Sequence, residues 1–116
     1  MGEYTQLDEV FAAVSDPTRR AIIARLSAAD ARVTELASDF PISLNSTSKH
    51  IRILERAGLV HRTVIGRDHV LSLNAAPLAE AAEWIEHYRE FWTNRLAALD
   101  KFMQTKRRTA KRRKRQ

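Results

Sequence analysis

The sequence predicts a mainly α-helical domain that carries one small β-hairpin and ends in a long helix. Apolar residues recur at helical spacing through most of residues 5 to 103. Two short β-rich runs flank a turn-forming Gly66-Arg67-Asp68 group. The 116 residues are too few for a second independent core, because a domain usually takes about 100 to 200 residues.

The first two helices are predicted on either side of an Asp-Pro step. The first carries the helically spaced Leu7, Val10, Phe11 and Val14. It ends before Asp16, which suits an N-cap, and Pro17 suits the first position of the next helix because its missing N–H costs nothing there. The second helix therefore begins at Pro17.

Two further helices and the hairpin follow. Thr34 is expected to cap a short third helix that Pro41 ends, and Ser43 to cap a fourth helix that Gly58 terminates. The hairpin is predicted over residues 60–65 and 69–73, two runs with the composition of β-strands. Pro77 then opens a last helix that runs to about Met103, on the order of 40 Å at 1.5 Å per residue.

The net charge of +6 is concentrated in two places. Residues 106–116 hold eight Lys or Arg and no acid, so residues 1–105 carry 12 basic against 14 acidic side chains, a net −2. Within that body, residues 47–68 carry a local +3. Focused positive charge favours a polyphosphate partner, although a solvated face with a charged tail would have the same composition. With almost nothing apolar, residues 106–116 are predicted to form a disordered tail.

Several function classes are excluded by what the chain lacks. The absence of cysteine removes disulfides, thiolate metal sites and cysteine nucleophiles. The three glycines lie at positions 2, 58 and 66, so no glycine-rich phosphate loop exists, and no paired carboxylates lie in an apolar setting. We expect no enzyme and no cofactor. The acidic start is unlike a secretory signal and no run is long enough to cross a membrane, so a cytoplasmic protein is expected.

The order of three helices, a turn, a fourth helix, a hairpin and a final helix is that of a winged helix-turn-helix. Three segments, DPTRRAIIARL, VTELASDFPISLNSTSKHIRILERAGLV and GRDHVLSL, resemble the ArsR/SmtB-type bacterial transcriptional repressors. The resemblance covers residues 5–103, and its most specific part is Ser48-Lys49-His50-Ile51 followed by Leu54 and residues 57–60. The stretch from Trp84 to Trp92 resembles a branch of the family without metal sites. The resemblance implies a homodimeric, sequence-specific repressor that binds duplex DNA, in which residues 1–105 form the winged helix-turn-helix domain with its dimerisation helix.

The fourth helix has the composition of a DNA-recognition helix. At 100° per residue, Thr47, Ile51 and Leu54 share one face, and the opposite face is polar and basic. Amide, hydroxyl and ammonium groups on such a face can bind base edges in a major groove. The residues expected to contact bases are Asn45, Ser46, Ser48 and Lys49. Those expected to contact the DNA backbone, from this helix or the wing, are Ser43, Arg52, Arg56, Arg62 and Arg67. His50 lies beside the apolar face and is interpreted as a packing residue.

The last helix is expected to form the dimer interface. Leu78, Ile85, Trp92 and Leu99 are spaced by sevens, and Tyr88 and Leu96 lie beside them. A core covered by so few residues cannot bury all of these side chains, so a second copy related by a two-fold axis is the natural cover. A ligand pocket between the aromatic rings is the alternative.

Metal binding is where the sequence departs from the best-known members of the family it resembles. The thiolate pair that the resemblance would place on the third helix is absent, because residues 35–39 read ELASD. On the last helix, His87 and Glu90 fit half of a second metal pattern, but residues 74–76 read NAA where the other half belongs. No metal is therefore expected.

Pro41 is a second departure from the family, because the turn of such motifs often holds a glycine with positive φ, an angle that proline cannot adopt.

Two other function classes share this composition. A winged-helix module can dock a protein on the polar face of its fourth helix, and a basic tail can bind RNA. RNA-binding proteins usually expose aromatic rings for base stacking, whereas the aromatic residues of this chain lie mostly at helical spacings. Duplex DNA is therefore the favoured partner.

Overall fold

The structure, a computed structural model, describes residues 5–115. These residues contain five helices and three strands. Side chains are described as far as residue 111. In chain order the elements are α1 Gln6–Val14, α2 Pro17–Ala28, β1 Ala31–Arg32, α3 Val33–Asp39, α4 Leu44–Arg56, β2 Val60–Ile65, β3 Asp68–Leu73 and α5 Ala76–Arg115. A boundary between two compact units falls after Ala81. We call them the winged-helix unit, which ends at Ala81, and the helical unit, which begins at Ala82.

Side-chain caps fix where three of the helices begin. The Thr5 hydroxyl accepts a hydrogen bond from the backbone N–H of Asp8, at 3.3 Å, ahead of α1. Asp16 accepts from the backbone N–H of Arg19 at 3.0 Å, and Ser43 accepts from that of Ser46 at 3.1 Å. These bonds satisfy N–H groups that have no partner within the helix. The predicted caps Asp16 and Ser43 are confirmed.

The predicted cap of α3 is wrong. Thr34 lies inside the helix, which begins at Val33, and Arg32 is the extended residue before it. The Glu35 carboxylate accepts from the backbone N–H of Arg32 at 3.3 Å. The start differs because Ala31 and Arg32 pair with Leu71 and Val70 of β3 as a short strand, which delivers the chain directly into α3.

The sheet has the strand order β1-β3-β2 and is antiparallel throughout. Strands β2 and β3 form the predicted hairpin, the wing, with Val60 opposite Leu73 and Ile65 opposite Asp68. Gly66, the first residue of the two-residue turn, has φ of +62°, a backbone conformation that glycine adopts at no steric cost. This turn leaves Arg67 at the tip of the wing.

The core of the winged-helix unit holds α4 in place. Ile51 and Leu54 are fully buried together with Ile22 of α2, Leu36 of α3 and Leu71 of β3. Burial of each such side chain is worth about 2 kcal/mol. Gly58, with φ of +77°, ends α4 and turns the chain into β2, as the sequence predicted. The apolar face of α4 is thereby anchored and its opposite face is left on the surface.

Helix α5 continues twelve residues beyond the predicted end at Met103, to Arg115. The prediction of a disordered tail over residues 106–116 is therefore corrected, with Gln116 lying outside the described residues. No Gly or Pro follows Pro77 to interrupt the helix, and Lys and Arg are good helix formers. Growth of an existing helix also avoids the cost of a new nucleus.

Candidate nucleic-acid interface

The surface of α4 is divided as its sequence predicts. Thr47, Ile51 and Leu54 are buried, and the Thr47 hydroxyl donates to the backbone carbonyl of Ser43 at 3.0 Å. The exposed cationic and amide side chains of this helix are Asn45, Lys49, Arg52 and Arg56, and Ser46 and Ser48 are half-buried. An exposed face of this kind supplies both base-edge donors and phosphate partners.

Two of the predicted contact residues are engaged in building the start of the helix. The Ser43 hydroxyl accepts from the backbone N–H of Ser46 and donates to the Ser46 hydroxyl, both at 3.1 Å. Those bonds set the first turn of α4 and so orient the neighbouring Asn45. Ser43 and Ser46 therefore shape the helix start in the structure, whereas Asn45 and Lys49 extend from it.

Arg62 lies on strand β2 of the wing, away from the wing tip, and contacts α4. Its Nη2 is 2.7 Å from Oε1 of Glu55, its Nε is 3.3 Å from Oε2, and its Nη1 is 3.0 Å from Nδ1 of His69. Arg62 can only donate, so the contact with His69 is a hydrogen bond in the tautomer whose Nδ1 accepts. The guanidinium of Arg62 thus ties β2 and β3 to the last turns of α4.

Arg67 is placed differently and is exposed at the wing turn. It lines a shallow groove of about 240 Å³ together with Leu44 and Ser48 from the start of α4 and Thr34 from α3. Arg32 borders the same groove and lies 3.7 Å from Asp68 across an ion pair. The groove joins the wing tip to the beginning of α4, so both elements present polar groups to the same side of the winged-helix unit.

His50 occupies the hydrogen-bonded packing position expected for it. Its Nδ1 is 3.2 Å from Nη1 of Arg19 and 3.8 Å from Oδ2 of Asp16. Arg19 also donates to the carbonyl oxygens of Ala13 and Ala12 at the end of α1, at 2.7 and 3.2 Å. The backbone N–H of Arg19 lowers the pKa of Asp16, and the charge of Arg19 acts in the same direction. This cluster fastens α1 and α2 to α4.

At the start of α4 and near the wing tip, three exposed apolar side chains were not among the predicted site residues. Leu44 is 52% exposed at the first position of α4, and Val64 and Ile65 are 57% and 62% exposed near the wing tip. Leu44 comes before the polar residues of α4 in the sequence. Its position next to the Ser43 cap was the one sequence feature that could have indicated a place at the interface. An apolar side chain at this place suits contact with a thymine methyl group or a sugar.

Pro41 is accommodated without positive φ. Phe40, the residue before it, has φ of −119° and ψ of 145°, the extended conformation that a following proline favours. Among the described residues, positive φ occurs at Gly58 and Gly66 alone. The turn between α3 and α4 is therefore built from extended backbone in place of a left-handed glycine.

The two arginines of the wing are expected to respond differently to substitution. Arg67→Ala removes an exposed cation and should reduce the slope of log affinity against log salt by about 0.9 if it contacts one phosphate. Arg62→Ala removes a cation that Glu55 already neutralises, so it should lower affinity and thermal stability with little change in slope. Salt titrations of both variants on one duplex test this, and equal reductions in slope would show that Arg62 also reaches phosphate.

Helix α5 presents a continuous apolar face in the helical unit, which we call the apolar stripe. At 100° per residue its members cover about 140° of the helix surface. They are 44% to 61% exposed and comprise Trp84, Ile85, Tyr88, Phe91, Trp92, Leu96, Leu99, Phe102 and Met103. Of the predicted dimer residues, five belong to this stripe, whereas Leu78 is half-buried against the core of the winged-helix unit. A soluble monomer rarely exposes so large an apolar area.

Within the described residues, no group of three or more His, Cys, Asp or Glu side chains is arranged to hold a metal ion. None of the helices in residues 5–115 combines the length and apolarity needed to cross a bilayer.

Two curated proteins and one family model are similar to this chain. A family model described as a helix-turn-helix domain matches residues 14–63, the span that contains α2, α3 and α4. The HTH-type transcriptional regulator Rv2034 of Mycobacterium tuberculosis is 35% identical over 96 residues, which cover 83% of this chain and 87% of that protein. The transcriptional repressor SdpR of Bacillus subtilis is 34% identical over 82 residues, which cover 71% of this chain and 91% of that protein.

Solved structures with a similar fold include regulators of the same type. An ArsR-like transcriptional regulator from Rhodococcus sp. RHA1, known from its solved structure, aligns with a TM-score of 0.79 and 34% identity. The alignment covers 88% of this chain and 94% of that structure, so it includes much more than the helix-turn-helix segment.

Proposed function

This chain belongs to the ArsR/SmtB-type family of helix-turn-helix transcriptional repressors and is a DNA-binding regulator, and we propose that it acts as a homodimer. In this proposal two copies of α4 enter successive major grooves of an operator, about 34 Å apart. Repression then follows from occupancy of the operator, which blocks transcription. The protein would act in the cytoplasm, where bacterial DNA lies, and the proposal assigns it neither a metal nor a cofactor.

One observation carries the proposal. Helix α4 is fixed through buried Ile51 and Leu54, and its opposite face exposes Asn45, Lys49 and Arg52 to solvent. A face that is polar and basic while its helix is rigidly held meets the requirements for reading bases, because the contact groups must be positioned before binding. The wing places Arg67 on the same side, through the groove that it shares with Ser48.

We assign the contacts by exposure and by existing partners. Asn45, Ser48 and Lys49 would contact base edges, with Ser46 close to them at the helix start. Arg52, Arg56 and Arg67 would contact phosphates. Ser43 would act through its cap on α4, and Arg62 through its ion pair with Glu55. Both would position neighbouring residues of α4 and the wing, and neither would contact the DNA backbone directly.

The homodimer is proposed from the apolar stripe. Its exposed side chains are aromatic or aliphatic from Trp84 to Met103, and a second copy would cover them by an isologous contact. Ile85, Tyr88, Trp92, Leu96 and Leu99 would form its centre. Such a dimer makes the inverted repeat the expected form of the operator, because the symmetry of the protein is reflected in the DNA.

Selection of bound sequences from random duplex DNA tests the proposed function. The expected result is enrichment of an inverted repeat whose half-sites are separated by about one helical turn. A protein that retains random duplexes without enrichment, or that retains no duplex, would contradict it. Selection with random single-stranded RNA in parallel is the control, and a defined RNA motif there would favour the RNA-binding alternative.

A further inference from the structure

The last ten residues of α5 carry the highest charge density in the chain. We call residues 106–115, KRRTAKRRKR, the basic segment. Eight of its ten residues are Lys or Arg, and no acidic residue follows Asp100. Lys106, Arg107, Arg108 and Lys111 are exposed. The body formed by residues 1–105 is net negative, so this segment accounts for the positive charge of the whole protein.

Helical structure concentrates these charges further. Ten helical residues rise about 15 Å, which gives roughly one positive charge per 1.9 Å along the axis. Duplex DNA carries about one negative charge per 1.7 Å of its axis. Arg107 and Arg108 also have the like-charged Lys111 at i+4 and i+3, an arrangement that is unfavourable in an isolated helix. A polyanion with closely spaced charges would remove that repulsion.

The residues beside the charges select the class of polyanion. The segment itself has no aromatic side chain to stack on the bases of single-stranded RNA, and the nearest ring, that of Phe102 in the apolar stripe, is already covered by Lys106, whose Nζ lies 5.9 Å from the ring centroid. Ala110 is the one apolar residue of the segment, which leaves no anchor for a bilayer and no aromatic centre for a protein interface. The remaining interaction is with phosphates alone, which is the sequence-independent component of duplex binding.

We propose that the basic segment is a second DNA-binding surface, which contacts the phosphate backbone of duplex DNA without reading its sequence. The inference rests on the proposed function, because α4 would hold the protein on the duplex. Attachment to a bound domain converts contact by the segment into an intramolecular event with a high effective concentration. The segment would therefore raise affinity for operator and random DNA alike.

The test is a salt titration of the full-length protein and two variants on operator and random duplexes. The first variant replaces Lys106, Arg107, Arg108 and Lys111 with Gln, which keeps the length and favours helix. The matched control is Lys101→Gln, an exposed cation of the same helix outside the segment. Each lost phosphate contact should reduce the slope of log affinity against log salt by about 0.9, so the fourfold variant should lose about 2 to 3.6 per protomer.

The expected pattern is a flatter slope on both duplexes, an unchanged ratio of operator to random affinity, and no effect of Lys101→Gln. An unchanged slope in the fourfold variant would overturn the inference while leaving operator recognition intact. A loss confined to single-stranded RNA, measured in parallel, would also overturn it and would identify RNA as the ligand. Failure of the proposed function has a separate signature, which is the absence of any preference for operator in the unmodified protein.

Discussion

Trp92→Glu is expected to convert the homodimer into monomers and to abolish tight operator binding. Trp92 lies in the middle of the apolar stripe and is 52% exposed in a single chain. In the proposed dimer a glutamate there would be desolvated without a partner, at a cost of about 3 kcal/mol or more. That corresponds to a more than hundredfold rise in the Kd of the dimer. Sedimentation velocity across micromolar concentrations measures the shift, and Leu99→Glu should reproduce it.

Two controls separate loss of the dimer from loss of the fold. Asn94→Glu places the same charge on the same helix, about 130° from the centre of the apolar stripe, and should leave the dimer unchanged. The winged-helix unit should keep its thermal transition in Trp92→Glu monomers, because its core residues all precede Ala82. A wild-type protein that sediments as a monomer yet binds its operator tightly would contradict the dimer.

Features of the fold that depend on neighbouring residues were predictable from the sequence. The caps Asp16 and Ser43 lie three residues before the backbone N–H groups that they bind, and Pro17 directly follows the first of them. Residue type alone therefore places the starts of α2 and α4. The wing was predictable for the same reason, since its two strands are joined by a turn of two residues. The alternation of buried and exposed residues on α4 likewise follows from helical periodicity.

Features that depend on distant residues were not predictable. Strand β1 exists because Ala31 lies opposite Leu71, forty positions away, and two residues carry no strand signal of their own. The ion pair of Arg62 with Glu55 was not predictable either, because the sequence shows an arginine in the wing but not its partner. Leu78 continues a spacing of sevens, yet periodicity does not distinguish burial within a protomer from burial between two copies.

Asn45→Ala is expected to relax base preference at one position of each half-site. Asn45 is exposed on the first turn of α4, and an asparagine amide can form two hydrogen bonds to adenine, through N6 and N7. Loss of that pair should reduce discrimination at the contacted base pair by about 1 to 3 kcal/mol, or roughly 5- to 150-fold. Competition binding against every single-base variant of the selected operator would locate the position.

Replacement of the contacted adenine by 7-deazaadenine, which lacks N7, distinguishes a direct contact from an indirect one. The modified operator should weaken binding of the wild-type protein and have little further effect on Asn45→Ala, because the two changes remove the same hydrogen bond. Arg67→Ala is the matched control, since loss of a phosphate contact should weaken all sequences nearly equally. Equal losses on operator and scrambled DNA for Asn45→Ala would remove Asn45 from the base-reading residues and leave Ser48 and Lys49 to specify the site.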